Sequence, residues 1–440
     1  MQIAIDNNTI FAKKCKVNLK GDIMKICAII CEYNPFHFGH WLHIQKAKEL
    51  SCCDAVLCIM SGNFTQRAEP TIADKYVRAS MALNGGADIV VQMPTAYACS
   101  SAEIYALAGV KIANSFKNVT HLAFGCESDN FELLKELANY LADEPQEFKD
   151  ALKTYLDEGN SMVNSRQLAI EQLVKEGKVS FSNITETIDA LHKPNNILAL
   201  EYLKALKKTN SSIEPVFIER GCSDYHSEDI NGKDTSATAI RSKLLKSEKV
   251  SKIKRLVPKF SYNLLKAHLK DFGLPSSDLF NDICMFSLKT ANKDKIKNIY
   301  DVSEGLENRF IECCKDKKVL NEVLLDVKSK RYTYTRLKRI VLRLVLDINK
   351  AVIDKIYEID KLPYIKVLGF SSANPDLLSE INADTDLIIR NNNVVKDPSE
   401  FYSELAGIED RANALYNLLL KKSKIVPKYA PDLLTKTIKY

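Results

Sequence analysis

The chain has 440 residues, 46% of them hydrophobic and 27% charged, and a net charge of +6. At roughly 100–200 residues per domain, that length predicts two or three domains with a large core, not a disordered or fibrous chain. No window holds the roughly 18 uninterrupted apolar residues of a membrane helix, so no membrane partner is predicted.

Met1–Ile23 does not read as a signal peptide, because Asp6, Lys13, Lys14 and Lys16 break its apolar stretches. Residues 1–23 are read as an N-terminal extension or a start-site artefact, and the protein is placed in the cytoplasm. From there the chain alternates. Lys25–Cys31, Ala55–Met60, Asp88–Met93 and His121–Phe124 are short apolar runs of strand length. Trp41–Leu50, Ile72–Leu83 and Ala102–Ser115 between them have helical spacing. Strands separated by such helices predict βαβ units and a parallel, Rossmann-like sheet. A charged helical stretch near 130–190 reads as an insertion. Asn195–Leu206 is helical, Glu214–Ile218 is a last strand, and Thr235–Lys246 is a helix capped by Thr235 or Ser236. This α/β domain spans 24–250.

Beyond it the strand signals largely stop. Leu337, Ile340, Val341, Leu344 and Val345 form one apolar stripe, and similar patterns recur at Glu322–Val327, Ile348–Tyr357 and Ile408–Leu420. Residues 251–440 therefore read as a mainly helical domain, with one short strand at Tyr364–Phe370. The charge divides the same way. Residues 1–250 carry 28 basic and 31 acidic side chains, whereas 251–440 carry 34 and 25. The basic second half predicts a polyanionic partner. The 12 cysteines include no CxxC pair and sit in apolar runs or adjacent pairs, which predicts free thiols and no structural zinc.

The stretch that carries chemistry is Ile29-Ile30-Cys31-Glu32-Tyr33-Asn34-Pro35-Phe36-His37-Phe38-Gly39-His40. An apolar strand runs through a proline turn into HxGH and a helix. In parallel sheets, ligands bind where strand C-termini meet helix N-termini, whose N–H groups attract phosphate. Gly39 allows close backbone approach. His37 and His40 fall on one side of the first turn and can donate to a phosphoryl oxygen as it gains charge. Three of the seven histidines lie within His37–His43. His43, one turn on, reads either as a partner of the site or as a packed side chain. A second element, Thr235-Ser236-Ala237-Thr238-Ala239-Ile240-Arg241, starts a helix with hydroxyls and a cation suited to β- and γ-phosphates.

Glu32-Tyr33-Asn34-Pro35-Phe36-His37-x-Gly39-His40 resembles the bacterial tRNA(Met) cytidine acetate ligase family of HIGH-type nucleotidyltransferases. So do Met60-Ser61-Gly62-Asn63-Phe64, Gln66-Arg67-x-Glu69-Pro70, Phe124-Gly125-x-Glu127 and Lys193-Pro194-Asn195-Asn196-Ile197-Leu198. The resemblance implies an ATP-dependent enzyme. It would activate acetate to acetyl-adenylate and acetylate N4 of the wobble cytidine in elongator tRNA(Met). It implies ATP contacts from Ile30, Cys31, Glu32, Tyr33, Asn34, Pro35, Phe36, His37, Phe38, Gly39, His40, Trp41, Leu42 and His43. It adds Gly125, Asn195 or Asn196 (Asn196 is favoured) and Arg220, with Ser236, Thr238 and Arg241 near phosphate. Mg²⁺ is expected to arrive with ATP, held by phosphate oxygens and water. No tightly bound cofactor is predicted. Gln92 stands where the family often has an acidic residue, and Cys126 where serine is usual.

The most basic stretch supplies the RNA-binding candidates: Lys328, Lys330, Arg331, Tyr332, Tyr334, Arg336 and Arg339. Seven basic residues and no acid fall within Lys328–Arg343. The tyrosines suit stacking on unpaired bases, and Arg336, Arg339 and Arg343, off the apolar stripe, suit a row of phosphates. Lys421, Lys422, Lys424 and Lys428 form a weaker patch. Two rival readings are a metabolite adenylyltransferase of the pantetheine-phosphate or nicotinate-mononucleotide type, and an RNA-binding protein with a degenerate nucleotide site.

Overall fold

The computed structural model describes residues 24–128, 130–219, 236–372, 387–388, 399–422 and 437–440. Residues 1–23, Arg220, Thr235, Lys424 and Lys428 lie outside the described residues.

The five apolar runs of the first half become β1 (Ile26–Cys31), β2 (Ala55–Ser61), β3 (Ile89–Met93), β4 (Val119–Cys126) and β5 (Glu214–Glu219). They pair in parallel in the order β5-β4-β1-β2-β3. The described helices of this half are α1 (Phe38–Ser51), α2 (Lys75–Asn84), α3 (Thr95–Ala98), α4 (Ala102–Asn114), α5 (Phe131–Asp143), α6 (Gln146–Asp157), α7 (Met162–Lys175), α8 (Ile184–His192), α9 (Pro194–Lys208) and α10 (Ala237–Ser247). Helices α5 to α8 fill the stretch read as an insertion. The second half contributes α11 (Lys259–Asp271), α12 (Ser277–Thr290), α13 (Lys293–Lys297), α14 (Leu306–Cys314), α15 (Leu320–Val327), α16 (Tyr334–Leu346), α17 (Lys350–Glu358) and α18 (Glu400–Leu419).

Successive strand residues point to opposite faces, so a sheet covered on both sides needs apolar residues at every position. The central strands satisfy this. Ile26, Ala28, Leu57, Ile59, Val91 and Met93 face one core, and Cys27, Ile29, Val56, Cys58, Met60 and Val90 face the other. The second core also holds residues of α1, α2, α10 and α11. The first core continues from α4 and α5 into α12, α14, α16 and α18 without a break. The second half is thus mainly helical, as its pattern predicts, but it shares its core with the sheet.

The chain also returns to the sheet. The strand foreseen at Tyr364–Phe370 forms as β6 (Ile365–Phe370) and pairs antiparallel with β3. β7 (Leu387–Ile388) and β8 (Ile438–Lys439) each pair with β6. Ten cysteines among the described residues are free, most of them buried, and burial pushes the Cys27 thiol up to about 12.

Candidate functional site

β1 lies between β2 and β4, where the strand order reverses direction, the place beyond the strand C-termini at which parallel sheets bind ligands. The chain enters it through Glu32–Phe36. Tyr33 adopts a φ of +50°, a left-handed conformation uncommon outside glycine. Packing holds it there. Its ring is fully buried with centroids 4.9 Å from both Phe36 and His40, and its hydroxyl lies 3.4 Å from Cys58 Sγ.

His37 is the N-cap of α1, which begins three residues before the helix its sequence pattern marks. Its Nδ1 accepts from Gly39 N at 3.1 Å, and His40 Nδ1 accepts from His37 N at 3.3 Å. A backbone N–H donating to Nδ1 requires that nitrogen to be unprotonated. In the neutral ring the proton then sits on Nε2, so the capping bonds make both imidazoles Nε2–H donors. The rings stack at 3.7 Å. Two N–H donors at a helix N-terminus are the arrangement that stabilises charge growing on a phosphoryl oxygen. A Cβ on Gly39 would come within 2.9 Å of His37 Cε1, so glycine is what lets the His37 ring fold back onto the cap.

The loop is held from several directions. Arg78 on α2 is completely buried and donates to the carbonyls of Glu32 (2.5 Å), Ser61 (3.1 Å), Gly62 and Ala73 (3.0 Å). It thereby satisfies the backbone acceptors where β1 and β2 end. Asn34 Oδ1 accepts from Ile72 N at 2.9 Å, and Ser261 Oγ on α11 donates to Phe36 O at 2.9 Å. Glu32 accepts from Gln66 N at 2.6 Å. Burial raises its carboxyl pKa, against the opposing pull of that N–H and of Arg78 and Arg241.

The second element meets the first. Ser236 is the N-cap of α10, accepting from Ala239 N at 3.2 Å. Arg241, one turn on, donates to Asn34 O at 2.8 Å and to Thr238 Oγ1 at 3.2 Å. Ser236 and Thr238 are exposed beside it. At the end of β4, next to β1, Asn196 Oδ1 accepts from Glu127 N at 2.7 Å, just past Gly125, and Asn195 donates to the Glu127 carboxylate. Asn196 is fully buried, whereas Asn195 is half-buried. Ile30 packs under α4, close against Gly109. Phe38, Leu42 and His43 are partly buried, and Trp41 is 41% exposed. Cys31 at the end of β1 and Pro35 and Phe36 in the loop are buried.

The basic stretch is arranged differently from its sequence pattern. Arg343, read as off the apolar stripe, has no exposed surface. It donates to Asp301 Oδ2 at 2.9 Å and to Ser100 Oγ at 2.9 Å. Arg336 lies 3.4 Å from Asp301 Oδ1 and over the Tyr332 ring. Tyr332 is buried, its hydroxyl donating to Ser303 O. Arg339 packs beside the same carboxylate, and burial pushes its pKa down to about 10 although Asp301 opposes this. Arg331 pairs with Glu304 at 2.5 Å. The row of phosphate-tracking arginines is therefore a cluster around Asp301, because one partly buried carboxylate gathers cations that the helical phase alone would leave in water. Lys328 and Lys330 are exposed. Tyr334 instead faces a cavity of about 330 Å³ that Arg241 also lines.

Sequence spacing did not single out Arg78, nor the buried network beside it. Lys75 Nζ donates to Gln92 at 2.8 Å, and Gln92 and Thr95 donate to Glu409 on α18. A carboxylate thus reaches Gln92, where the resembled family often carries its own, from 317 residues away. The one available signal was a cation at a core-facing helix position.

A parallel sheet with an HxGH helix start at its switch point, facing a hydroxyl-capped helix with an arginine, defines an α/β nucleotidyltransferase. A model of the HIGH Nucleotidyl Transferase family matches residues 24–429. The tRNA(Met) cytidine acetate ligase of Caldicellulosiruptor saccharolyticus is 40% identical over 405 residues, covering 91% of this chain and 95% of that one. That of Clostridium perfringens is 36% identical over 410 residues, covering 92% and 98%. The crystal structure of Thermotoga maritima TmcAL bound with alpha-thio ATP superposes with a TM-score of 0.85 at 28% identity, covering 95% of this chain and all of that one. The chain belongs to the tRNA(Met) cytidine acetate ligase family.

Proposed function

We propose that this protein is an ATP-dependent acetate–tRNA ligase. A carboxylate oxygen of acetate attacks the α-phosphorus of ATP, the bond to the β-phosphate breaks, and pyrophosphate leaves. The N4 lone pair of the wobble cytidine of elongator tRNA(Met) then attacks the acetyl carbon. The bond to the phosphate breaks, AMP leaves, and N4 gives one proton to solvent. Cytosine N4 is a weak nucleophile because its lone pair is delocalised into the ring, which is why the acetyl group needs adenylation.

The observation that carries this reading is the pair of stacked His37 and His40 rings at the α1 N-terminus, whose Nδ1 atoms accept backbone N–H groups and leave Nε2–H as the donor, on the loop that Arg241 holds at Asn34. They suit the charge that builds on the α-phosphate. Ser236, Thr238 and Arg241 take the β- and γ-phosphates, while Gly125, Asn195 and Asn196 border the nucleoside. Mg²⁺ bound with ATP would be held by phosphate oxygens and water and would offset the phosphate charge. The exposed Lys328 and Lys330 meet RNA phosphates, and the reaction runs in the cytoplasm, where its tRNA is found. The family relatives support this over a metabolite adenylyltransferase, which has no use for a basic helical half.

ATP–pyrophosphate exchange with and without acetate, followed by labelled acetate transfer to tRNA, tests it. Acetate-dependent exchange and labelled tRNA are expected. Exchange that ignores acetate overturns the reading.

A further inference from the structure

The cavity of about 330 Å³ lies where the two halves of the chain meet, and the mechanism above does not use it. It falls at the low end of the roughly 300–1,000 Å³ that small-molecule sites span, far more than acetate requires. Its walls come from both halves. Glu69 and Arg241 belong to the nucleotide-binding half, and Phe280, Asn281, Tyr334 and Lys338 belong to α12 and α16. Arg241 is the link, since the same guanidinium donates to Asn34 in the HxGH loop. The cavity therefore shares a wall, the Arg241 side chain, with the HxGH loop.

We propose that this cavity receives the acceptor cytidine, unstacked from its RNA. The inference rests on the acetate–tRNA ligase reading and names where the second substrate sits. An enzyme that modifies a base takes it out of the stack and reads it by stacking and by its Watson–Crick edge. The cavity offers both. Tyr334 supplies an aromatic face, and its hydroxyl is tied to Asn321 at 2.8 Å, which fixes the ring. Glu69 and Lys338, 2.6 Å apart, form an acceptor and a donor side by side. Cytosine presents N4–H₂ as donor next to N3 and O2 as acceptors. Uracil presents O4 where cytosine has its amine, and a carboxylate there repels it. Glu69 thus selects cytidine, and Lys338 donates to the adjacent N3, which in uracil carries a proton. The sequence paired Tyr332 with Tyr334 as stacking candidates. Burial assigns Tyr332 to the protein interior and leaves Tyr334 for the base.

The test uses the full chain and fluorescent RNA stem-loops of the anticodon arm, with cytidine or uridine at the wobble position. Binding is measured without ATP or acetate, so it stands apart from the activation assay. Tyr334→Ala is expected to weaken cytidine stem-loop binding about tenfold, with Tyr334→Phe restoring it. Glu69→Gln is expected to reduce the preference for cytidine over uridine. Ser277→Trp, at an exposed position on the rim, is expected to block acetyl transfer more than acetate-dependent exchange. Unchanged stem-loop binding by Tyr334→Ala overturns the proposal. So does an equal loss of exchange and transfer in Ser277→Trp, which would assign the cavity to the adenylate. Absence of acetate-dependent exchange in the unmodified protein overturns the ligase reading instead, and stem-loop binding still decides the cavity.

Discussion

Arg241 donates from Nη1 to the backbone carbonyl of Asn34 at 2.8 Å, across 207 residues of sequence. This bond joins the two elements that the sequence marks separately, the HxGH loop and the capped helix α10. Burial lowers the Arg241 pKa, while Glu69 and Glu32 pull the other way. Its second donor reaches Thr238, so the planar fork spans loop and helix together. A lysine is a single point charge and cannot span both. Arg241→Ala is expected to lower acetate-dependent pyrophosphate exchange by about 100-fold, the scale of losing one oriented donor. Arg241→Lys is expected to recover only a small part. Full recovery with lysine would reduce the role of Arg241 to charge alone.

His40 tests the other side of the same loop. Its Nδ1 caps the His37 amide, and its ring stacks on His37 and against Tyr33. His40→Ala removes an Nε2–H donor and loosens the His37 ring, so exchange is expected to fall by about 10²–10³-fold. The ring is only partly buried, so thermal unfolding should shift by no more than a few degrees. A variant that stays folded and keeps exchange would remove His40 from the activation step.

The contrast between these residues and Arg78 shows what the sequence exposes. HxGH is legible because strand, turn, cap and helix start are contiguous, and local geometry ties each residue to its role. The helix start of α10 is legible for the same reason. Arg78 acts on four carbonyls contributed by three segments, and Arg343 acts on Asp301 and Ser100. Helical phase predicts solvent for Arg343 because the periodicity of α16 contains no record of Asp301. The strand β6 was legible, but its partner β3 was not, since the pairing crosses most of the chain. Cations that serve buried acceptors look, in one sequence, like solvated ones.

Asp301 makes that difference measurable. Burial alone raises its carboxyl, but Arg343 and Arg336 more than offset it and hold the folded value below the ordinary 3.8. A depressed carboxyl stabilises the fold above its unfolded pKa and loses that contribution as pH falls through the folded value. The stabilisation is therefore full well above the ordinary 3.8 and declines progressively as pH falls from there toward the lower folded value. Asp301 has a φ of +73°, which asparagine also tolerates, so Asp301→Asn removes the charge with little backbone strain. Leaving Arg343 buried without its counter-ion is expected to cost about 3–5 kcal/mol. Chemical denaturation at pH 7 and at pH 3 checks both points. The unmodified protein should lose stability between those values, and Asp301→Asn should lose less. An equal pH dependence in the two would mean that Asp301 is not the titrating group.

The basic stretch can now be divided by experiment. Lys328 and Lys330 are exposed, whereas Arg336 is committed to Asp301 and the Tyr332 ring. Each phosphate neutralised by a cation contributes about 0.7 to 0.9 to the slope of log K against log salt. The double variant Lys328→Ala, Lys330→Ala is expected to weaken tRNA binding and flatten that slope by about 1.4 to 1.8, while unfolding at the same temperature. Arg336→Ala should do the reverse, lowering the melting temperature and leaving the slope near its original value. The reasoning is that a guanidinium already paired with a carboxylate releases no counter-ion from RNA. A double lysine variant with an unchanged slope would show that RNA docks elsewhere. A flattened slope in Arg336→Ala would show that Arg336 leaves Asp301 when RNA binds.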